Sequence, residues 1–259
     1  MGGAERPIGF FDSGLGGLTV LREVARLLPS EHLIYLGDTA HLPYGDKSPE
    51  TILQLSLENA SFLLEKGIKL LMIPCHTACS HALEVLQKKL PIPVIGVIDP
   101  GLALLRGFQR IAILGTVSTI ESGVYPALIR KENPEMKIYA QACPLFVPLI
   151  EEGFWDHPAT DLIARSYLEP LKGKVDAVLL ACTHYPLIRQ TIQRVLGSEV
   201  ILLEPAALSA KKALDYLGTA QLLRTGAPCS EFYVTDDPEK FRRLGKLFFG
   251  AEIERVEKK

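Results

Sequence analysis

The chain of 259 residues is 47% hydrophobic and 22% charged, with 28 Lys plus Arg against 30 Asp plus Glu for a net charge of −2. That balance suits one or two folded domains with sizeable cores, excludes general disorder, and argues against nucleic acid or anionic membrane as a main partner. No apolar run approaches bilayer length, the N-terminus lacks the regions of a secretory signal, and five cysteines are too few and too odd in number for a disulfide framework, so a soluble cytoplasmic protein with free thiols is expected.

In chain order, a predicted strand at 8–11 leads into the glycine-rich turn Asp12-Ser13-Gly14-Leu15-Gly16-Gly17 and a helix over 18–28. A strand at 33–36 is followed by Gly37-Asp38-Thr39-Ala40 and Pro43-Tyr44-Gly45, a candidate binding loop in which Asp38 and Thr39 serve equally well as turn formers. A helix over 49–65 and a strand at 70–73 precede Cys75-His76-Thr77 and a helix over 78–89. Proline and glycine then cluster from Pro91 to Gly101, a plausible crossing between lobes near 96–100. Strands at 111–114, 138–141, 175–180 and 200–203 alternate with helices over 160–171 and 187–196, and a second crossing is placed at 205–208. Unalternating apolar strands separated by amphipathic helices indicate doubly wound parallel α/β sheets. The expected lobes are 1–97 plus 207–259 and 98–206, with a cleft between them.

Two segments echo one another. Residues 70–77 and 178–184 each carry an apolar strand into a cysteine followed by threonine and histidine, which puts Cys75 and Cys182 at matching stations. Ligands of open α/β sheets bind outside the carboxyl ends of the strands, and the positive end of a helix there is expected to lower a thiol pKa and attract carboxylates. One thiol on each side of a cleft suits proton exchange at a stereocentre, while the plainer reading makes both small buried hydrophobes. Cys79, Cys143 and Cys229 lack such a context and read as packing residues. Cys75, His76, Cys79 and His81 crowd together as metal ligands would, but no second close pair completes a structural zinc site, and no metal is expected. The glycine-rich turn fails the dinucleotide fingerprint because Thr19 stands where its third glycine belongs. Asp12 could instead receive an ammonium or orient a thiol while the glycine N–H groups accept an anion, or it could be an N-cap. Gly115-Thr116 offers a helix-start anion site or a simple cap.

The chain resembles the glutamate racemases of the cofactor-independent aspartate/glutamate racemase superfamily. The resemblance is carried by residues 8–20, 37–40 with 43–45, 96–98, Leu114-Gly115-Thr116 with Thr119-Ile120, 144–153, and Cys182-Thr183-His184-Tyr185-Pro186-Leu187. It implies two pseudo-symmetric α/β lobes with the active site between them, and interconversion of L- and D-glutamate for peptidoglycan synthesis without pyridoxal phosphate or metal. By resemblance, Cys75 acts on D-glutamate with Asp12 assisting, and Cys182 acts on L-glutamate supported by His184 and Glu151, with Glu152 as the neighbouring alternative. Substrate contacts map onto Asp12, Ser13, Pro43, Tyr44, Gly45, Thr77, Thr183 and His184, to which His76 and Thr116 are added as candidates. A homodimer is compatible with the sequence. The family's Cys-Asn-Thr-Ala-Ser appears here as Cys75-His76-Thr77-Ala78-Cys79. His76 either contacts the substrate or pairs with a neighbouring acid such as Asp12; in the first role its titration should give a pH dependence between roughly 5.5 and 7.5. Rival readings are a racemase of aspartate or of acidic amino acids broadly, and a non-catalytic amino-acid-binding regulatory protein.

Overall fold

A computed structural model describes residues 2–259 as two parallel sheets flanked by helices. The first run consists of β1 (Ile8–Asp12), α1 (Leu18–Leu27), β2 (His32–Gly37), α2 (Pro49–Glu65), β3 (Leu70–Ile73), α3 (His76–Lys89) and β4 (Val94–Gly96). The chain then passes through α4 (Ile98–Leu104) into β5 (Arg110–Gly115), α5 (Val117–Glu121), α6 (Val124–Glu132), β6 (Lys137–Ala142), α7 (Phe146–Glu151), α8 (Pro158–Leu168), β7 (Ala177–Ala181), α9 (Arg189–Leu196) and β8 (Ile201–Leu203). It returns through α10 (Ala206–Thr219) to β9 (Cys229–Val234), α11 (Pro238–Phe249) and β10 (Glu257–Lys258).

Strand order is β10-β9-β2-β1-β3-β4 in one sheet and β6-β5-β7-β8 in the other. The cores of both sheets thus repeat one pattern, with an early strand flanked by its successor on one side and by the next but one on the other. The order reverses between β1 and β3 and again between β5 and β7, and ligands bind at such switch points in open α/β sheets. β1, β3 and β7 are buried at every residue, which accounts for their unbroken apolar runs.

Local chemistry sets several boundaries. Ser48 accepts a hydrogen bond from the Thr51 N–H at 3.2 Å, with Pro49 opening α2. Cys75 itself is the N-cap of α3, so that helix begins at His76, two residues before the expected start. Three strands escape the apolar-run reading. β4 is only three residues long inside a proline-rich stretch, β9 begins on polar and exposed residues, and β10 is charged throughout. Cys229, expected to pack, is exposed at the start of β9. Among the described residues no helix is long and apolar enough to cross a membrane.

The amino ends of the strands are tied by a buried ion pair. Lys69 Nζ lies 2.6 Å from Glu31 Oε2, with both side chains at most 2% exposed. Lys69 also donates to the carbonyls of Ala4 and Leu222, and the Arg224 N–H donates to Glu31 Oε1. Removing one partner strands the other charge in low dielectric, where pairing can no longer offset desolvation. Lys69→Met should therefore lower unfolding free energy by about 3–5 kcal/mol in urea titrations, and adding Glu31→Gln to it should recover part of that loss.

Candidate active site

The carboxyl ends of the two sheets face each other. Asp12, the last residue of β1, is buried, with Oδ1 accepting from the Gly14 N–H at 3.0 Å and Oδ2 from the Thr183 hydroxyl at 3.4 Å. Burial raises its pKa above the usual carboxylate value, against the pull of the His184 charge and the Gly14 and Gly17 amides. The glycine turn has a steric reason. A Cβ at Gly16 would sit 2.2 Å from Thr183 Oγ1 and 2.5 Å from His184 Nδ1. Thr19, the residue that breaks the dinucleotide fingerprint, donates its hydroxyl to the Gly16 carbonyl at 2.8 Å.

Cys75 Sγ accepts from the Ala78 N–H at 3.4 Å and lies 3.9 Å from Ser13 Oγ. The helix start was expected to acidify this thiol. Instead burial, reinforced by the Asp12 charge, pushes it well above its ordinary value, and the amide of a single helix turn does not compensate. Cys182 follows β7, and its Sγ lies 4.0 Å from His184 Nδ1. His184 Nε2 lies 2.8 Å from Glu151 Oε1 at the end of α7. Burial opposes charge on this ring, but Cys182 and Glu151 on either side carry its pKa up to about 10. Glu152 is exposed and faces Lys240 at 3.7 Å, so of the two adjacent carboxylates Glu151 meets the histidine.

Cys75 and Cys182 border one small cavity together with Ser13, Thr77, Thr183 and His184. Pro43, Tyr44, Gly45, His76 and Thr116 complete its rim, with Leu42 and Val147 as apolar wall. Asp12 and Glu151 stand behind this lining and reach it through Thr183 and His184. Only about 20 Å³ admits the centre of a water-sized sphere, room for about one water. A groove by Asp99, Arg106 and Lys212 offers about 450 Å³ in the same measure but carries no thiol, so chemistry rather than size selects the site.

The remaining polar groups brace the two sides. Thr77 Oγ1 lies 3.0 Å from both Thr116 Oγ1 and Thr119 Oγ1, while Thr116 caps α5 by accepting from the Thr119 N–H at 3.2 Å. A Cβ at Gly45 would come within 2.5 Å of Thr116 Cβ. The Leu42–Pro43 peptide is cis. The Tyr44 hydroxyl donates to Asp38 and accepts from Asn59 Nδ2 at 3.0 Å, which turns it to the protein interior. Asp38 also accepts from Thr235 at 2.8 Å, so it anchors this loop to the end of β9.

His76 departs from expectation. Its Nδ1 lies 2.7 Å from the Tyr125 hydroxyl on α6, not against Asp12, and burial drives its pKa down to about 3. With burial holding the ring neutral, no titration of His76 is expected between 5.5 and 7.5. Cys75, His76 and Cys79 also point to different partners, since Cys79 Sγ donates to the Ile73 carbonyl at 3.2 Å. Tyr125, Thr119 and Phe248 were not anticipated in the site. Phe248 on α11 stands edge-on to His184 at 5.3 Å between ring centres. Phe241, Leu244 and Phe248 recur at helical spacing between Asp237-Pro238 and Gly250, a pattern that could have revealed α11.

The family model described as Asp/Glu/Hydantoin racemase matches residues 9–213. A glutamate racemase of Geobacter metallireducens is 46% identical over 257 residues, covering 96% of this chain and 94% of the relative. The solved glutamate racemase of Francisella tularensis subsp. tularensis, in complex with D-glutamate, superposes with a TM-score of 0.95 at 39% identity, covering 99% of this chain and 98% of that one. A glutamate racemase from Thermus thermophilus in complex with β-chloro-D-alanine gives 0.90 at 42% identity over 99% and 97% of the two chains.

The two histidines should separate cleanly in a pH titration followed by imidazole NMR. His76 should stay neutral from pH 5.5 to 7.5, and His184 should stay charged until the pH approaches about 10. The signs for stability are opposite. The His184 contribution is complete below its ordinary value of 6.5 and lost as pH rises through about 10, whereas that of neutral His76 is present above 6.5 and lost as pH falls toward about 3.

Proposed function

The chain belongs to the Asp/Glu/hydantoin racemase family, and from that premise we propose that it interconverts L- and D-glutamate by proton transfer between Cys75 and Cys182, using only its own side chains. The observation that carries this reading is the sharing of one cavity by two thiols from the carboxyl ends of different sheets. The lobes of the proposal are residues 1–97 plus 207–259 and residues 98–206.

In the L-to-D direction the Cys182 thiolate removes the α-proton, and the electron pair of the C–H bond passes into the α-carboxylate as an enediolate. The Cys75 thiol then gives its proton to the opposite face, so the substrate changes hand and the enzyme ends with Cys182 protonated and Cys75 ionised. The reverse reaction exchanges the roles. The imidazolium of His184 is the counter-charge for the Cys182 thiolate, and Glu151 holds that ring in place. Cys75 starts as a neutral thiol because burial and Asp12 disfavour its anion, and this is the form needed to donate. The amides at the start of α3 and the hydroxyls of Ser13, Thr77, Thr116 and Thr183 are the partners for substrate carboxylates and ammonium, with Asp12 behind them. The cavity must widen to admit an amino acid, since its present room is that of about one water. A homodimer is compatible with this scheme and is not required by it, because both thiols belong to one chain. Supply of D-glutamate for peptidoglycan synthesis would place the reaction in the cytoplasm.

Cys75→Ser and Cys182→Ser should each reduce racemisation by about 10²–10⁴-fold, the range for losing a positioned acid or base, as measured by circular dichroism of glutamate. Each variant should still eliminate HCl from one enantiomer of 3-chloroglutamate, a step that needs only one base. Wild-type racemisation in either variant would overturn the two-thiol scheme.

A further inference from the structure

At the amino ends of the strands, away from the thiol cavity, a second group of metal-ligating side chains converges. His32 opens β2 and Cys229 opens β9, and the two are register partners on adjacent parallel strands. Glu231 follows Cys229 by two residues and therefore emerges on the same face. The ligand atoms of His32, Cys229 and Glu231 all lie within 4.8 Å of one another, and among the described residues no other three His, Cys, Asp or Glu side chains do so.

We propose that His32, Cys229 and Glu231 form a binding site for a borderline-soft divalent cation of the zinc class. An imidazole nitrogen, a thiolate sulfur and a carboxylate oxygen are the donors such an ion accepts, and a thiolate with an imidazole disfavours magnesium and calcium. With metal–nitrogen bonds of about 2.0 Å and metal–sulfur bonds of about 2.3 Å, the edges of a tetrahedral site measure roughly 3.3–3.6 Å. The sulfur must therefore move little more than an ångström. His32 Nε2 and Glu231 Oε1, now hydrogen-bonded at 2.7 Å, part slightly as the ion enters between them. The second oxygen of Glu231 is already fixed by the Tyr233 hydroxyl at 2.7 Å, and Lys66 Nζ donates to that hydroxyl at 3.0 Å. Such outer partners orient a ligating carboxylate.

Access and charge agree with this assignment. Cys229 is exposed, and β10 pairs with β9 only at Tyr233 and Val234, which leaves the flank beside Cys229 without a strand neighbour. On binding, the thiol proton passes to solvent and the His32 Nε2 proton now donated to Glu231 leaves that nitrogen for Nδ1 or solvent, which frees its lone pair for the ion. Thiolate plus carboxylate neutralise the dication, while water fills the fourth position. The ion would clip together the starts of two strands whose ligands His32 and Glu231 are 199 residues apart in the chain. It would thereby hold the returning C-terminal segment in register with β2.

Calorimetric titration of the full chain with ZnCl2 tests the site, with cobalt(II) as a spectroscopic probe. One equivalent should bind to wild type and equally to a Cys75→Ser/Cys182→Ser variant, which removes the cavity thiols as competing ligands. Affinity should fall at least tenfold in His32→Ala, Glu231→Gln and Cys229→Ser, and Cys229→Ser should lose the thiolate-to-cobalt charge-transfer band. Zinc should raise Tm in wild type and not in Cys229→Ser. Because Cys229→Ser is a small change at an exposed position, it decides the matter even if His32→Ala fails to fold. Absence of stoichiometric binding, unchanged affinity in Cys229→Ser, or a cobalt band lost only with Cys75 and Cys182 would each overturn the proposal.

Discussion

A side chain at residue 16 has nowhere to go, because its Cβ would lie 2.2 Å from Thr183 Oγ1 and 2.5 Å from His184 Nδ1. The bare backbone at this turn allows the strand-end loops of the two sheets to meet, and the rest of the cleft follows from that approach. Thr183 can reach Asp12, and Thr19 can turn its hydroxyl to the Gly16 carbonyl. Thr77 of α3 lies among Thr116 and Thr119, and Gly45 fits against Thr116 by the same absence of a Cβ. Each such hydrogen bond is worth only about 1 kcal/mol net, yet together they fix two distant sulfurs on one small, confined cavity. In so confined a space electrostatic effects are much stronger than in water.

The two buried histidines show how that confinement is used. Both rings are removed from solvent, and burial alone drives each toward neutrality. His76 has only a phenol hydroxyl as partner and falls to about 3, while His184 has the Glu151 carboxylate on one nitrogen and the Cys182 sulfur near the other and rises to about 10. The cleft is consequently asymmetric despite its repeated architecture. A cation stands beside Cys182, whereas the charge reaching Cys75 is the negative one of Asp12. A two-base reaction needs one base and one acid at any moment, and in the proposed scheme this asymmetry of charge supports Cys75 as the initial acid.

Much of this was legible in the sequence because both sheets are doubly wound. Strands buried on both faces appear as plain apolar runs, and the repeated strand-into-Cys pattern marks residues 75 and 182 as equivalent ends. Gly16 and Thr19 were legible as an irregular motif but not as a contact surface, since the residues they meet lie more than 160 positions away. The Tyr125 partner of His76 was hidden for the same reason, and a pH dependence was expected of a ring that is buried, where desolvation favours its neutral form. At Cys75 the helix start does supply an amide contact, but desolvation of the thiol is the larger effect and is invisible in local sequence. Strands β9 and β10 escaped because exposed strands carry polar residues, and Cys229 was misread with them. Glu151 could be separated from Glu152 only once the end of α7 was seen to face His184.

The most direct test of proton exchange between two thiols is the early labelling pattern in D2O. With L-glutamate as substrate, and the reaction stopped at low conversion, deuterium from the solvent-exchanged Cys75 thiol should enter the D-glutamate formed while the remaining L-glutamate stays protiated at Cα. The mirror pattern should appear from D-glutamate. Equal deuteration of both enantiomers from the start would mean that a single base serves both faces, and would contradict the assignment of one thiol to each.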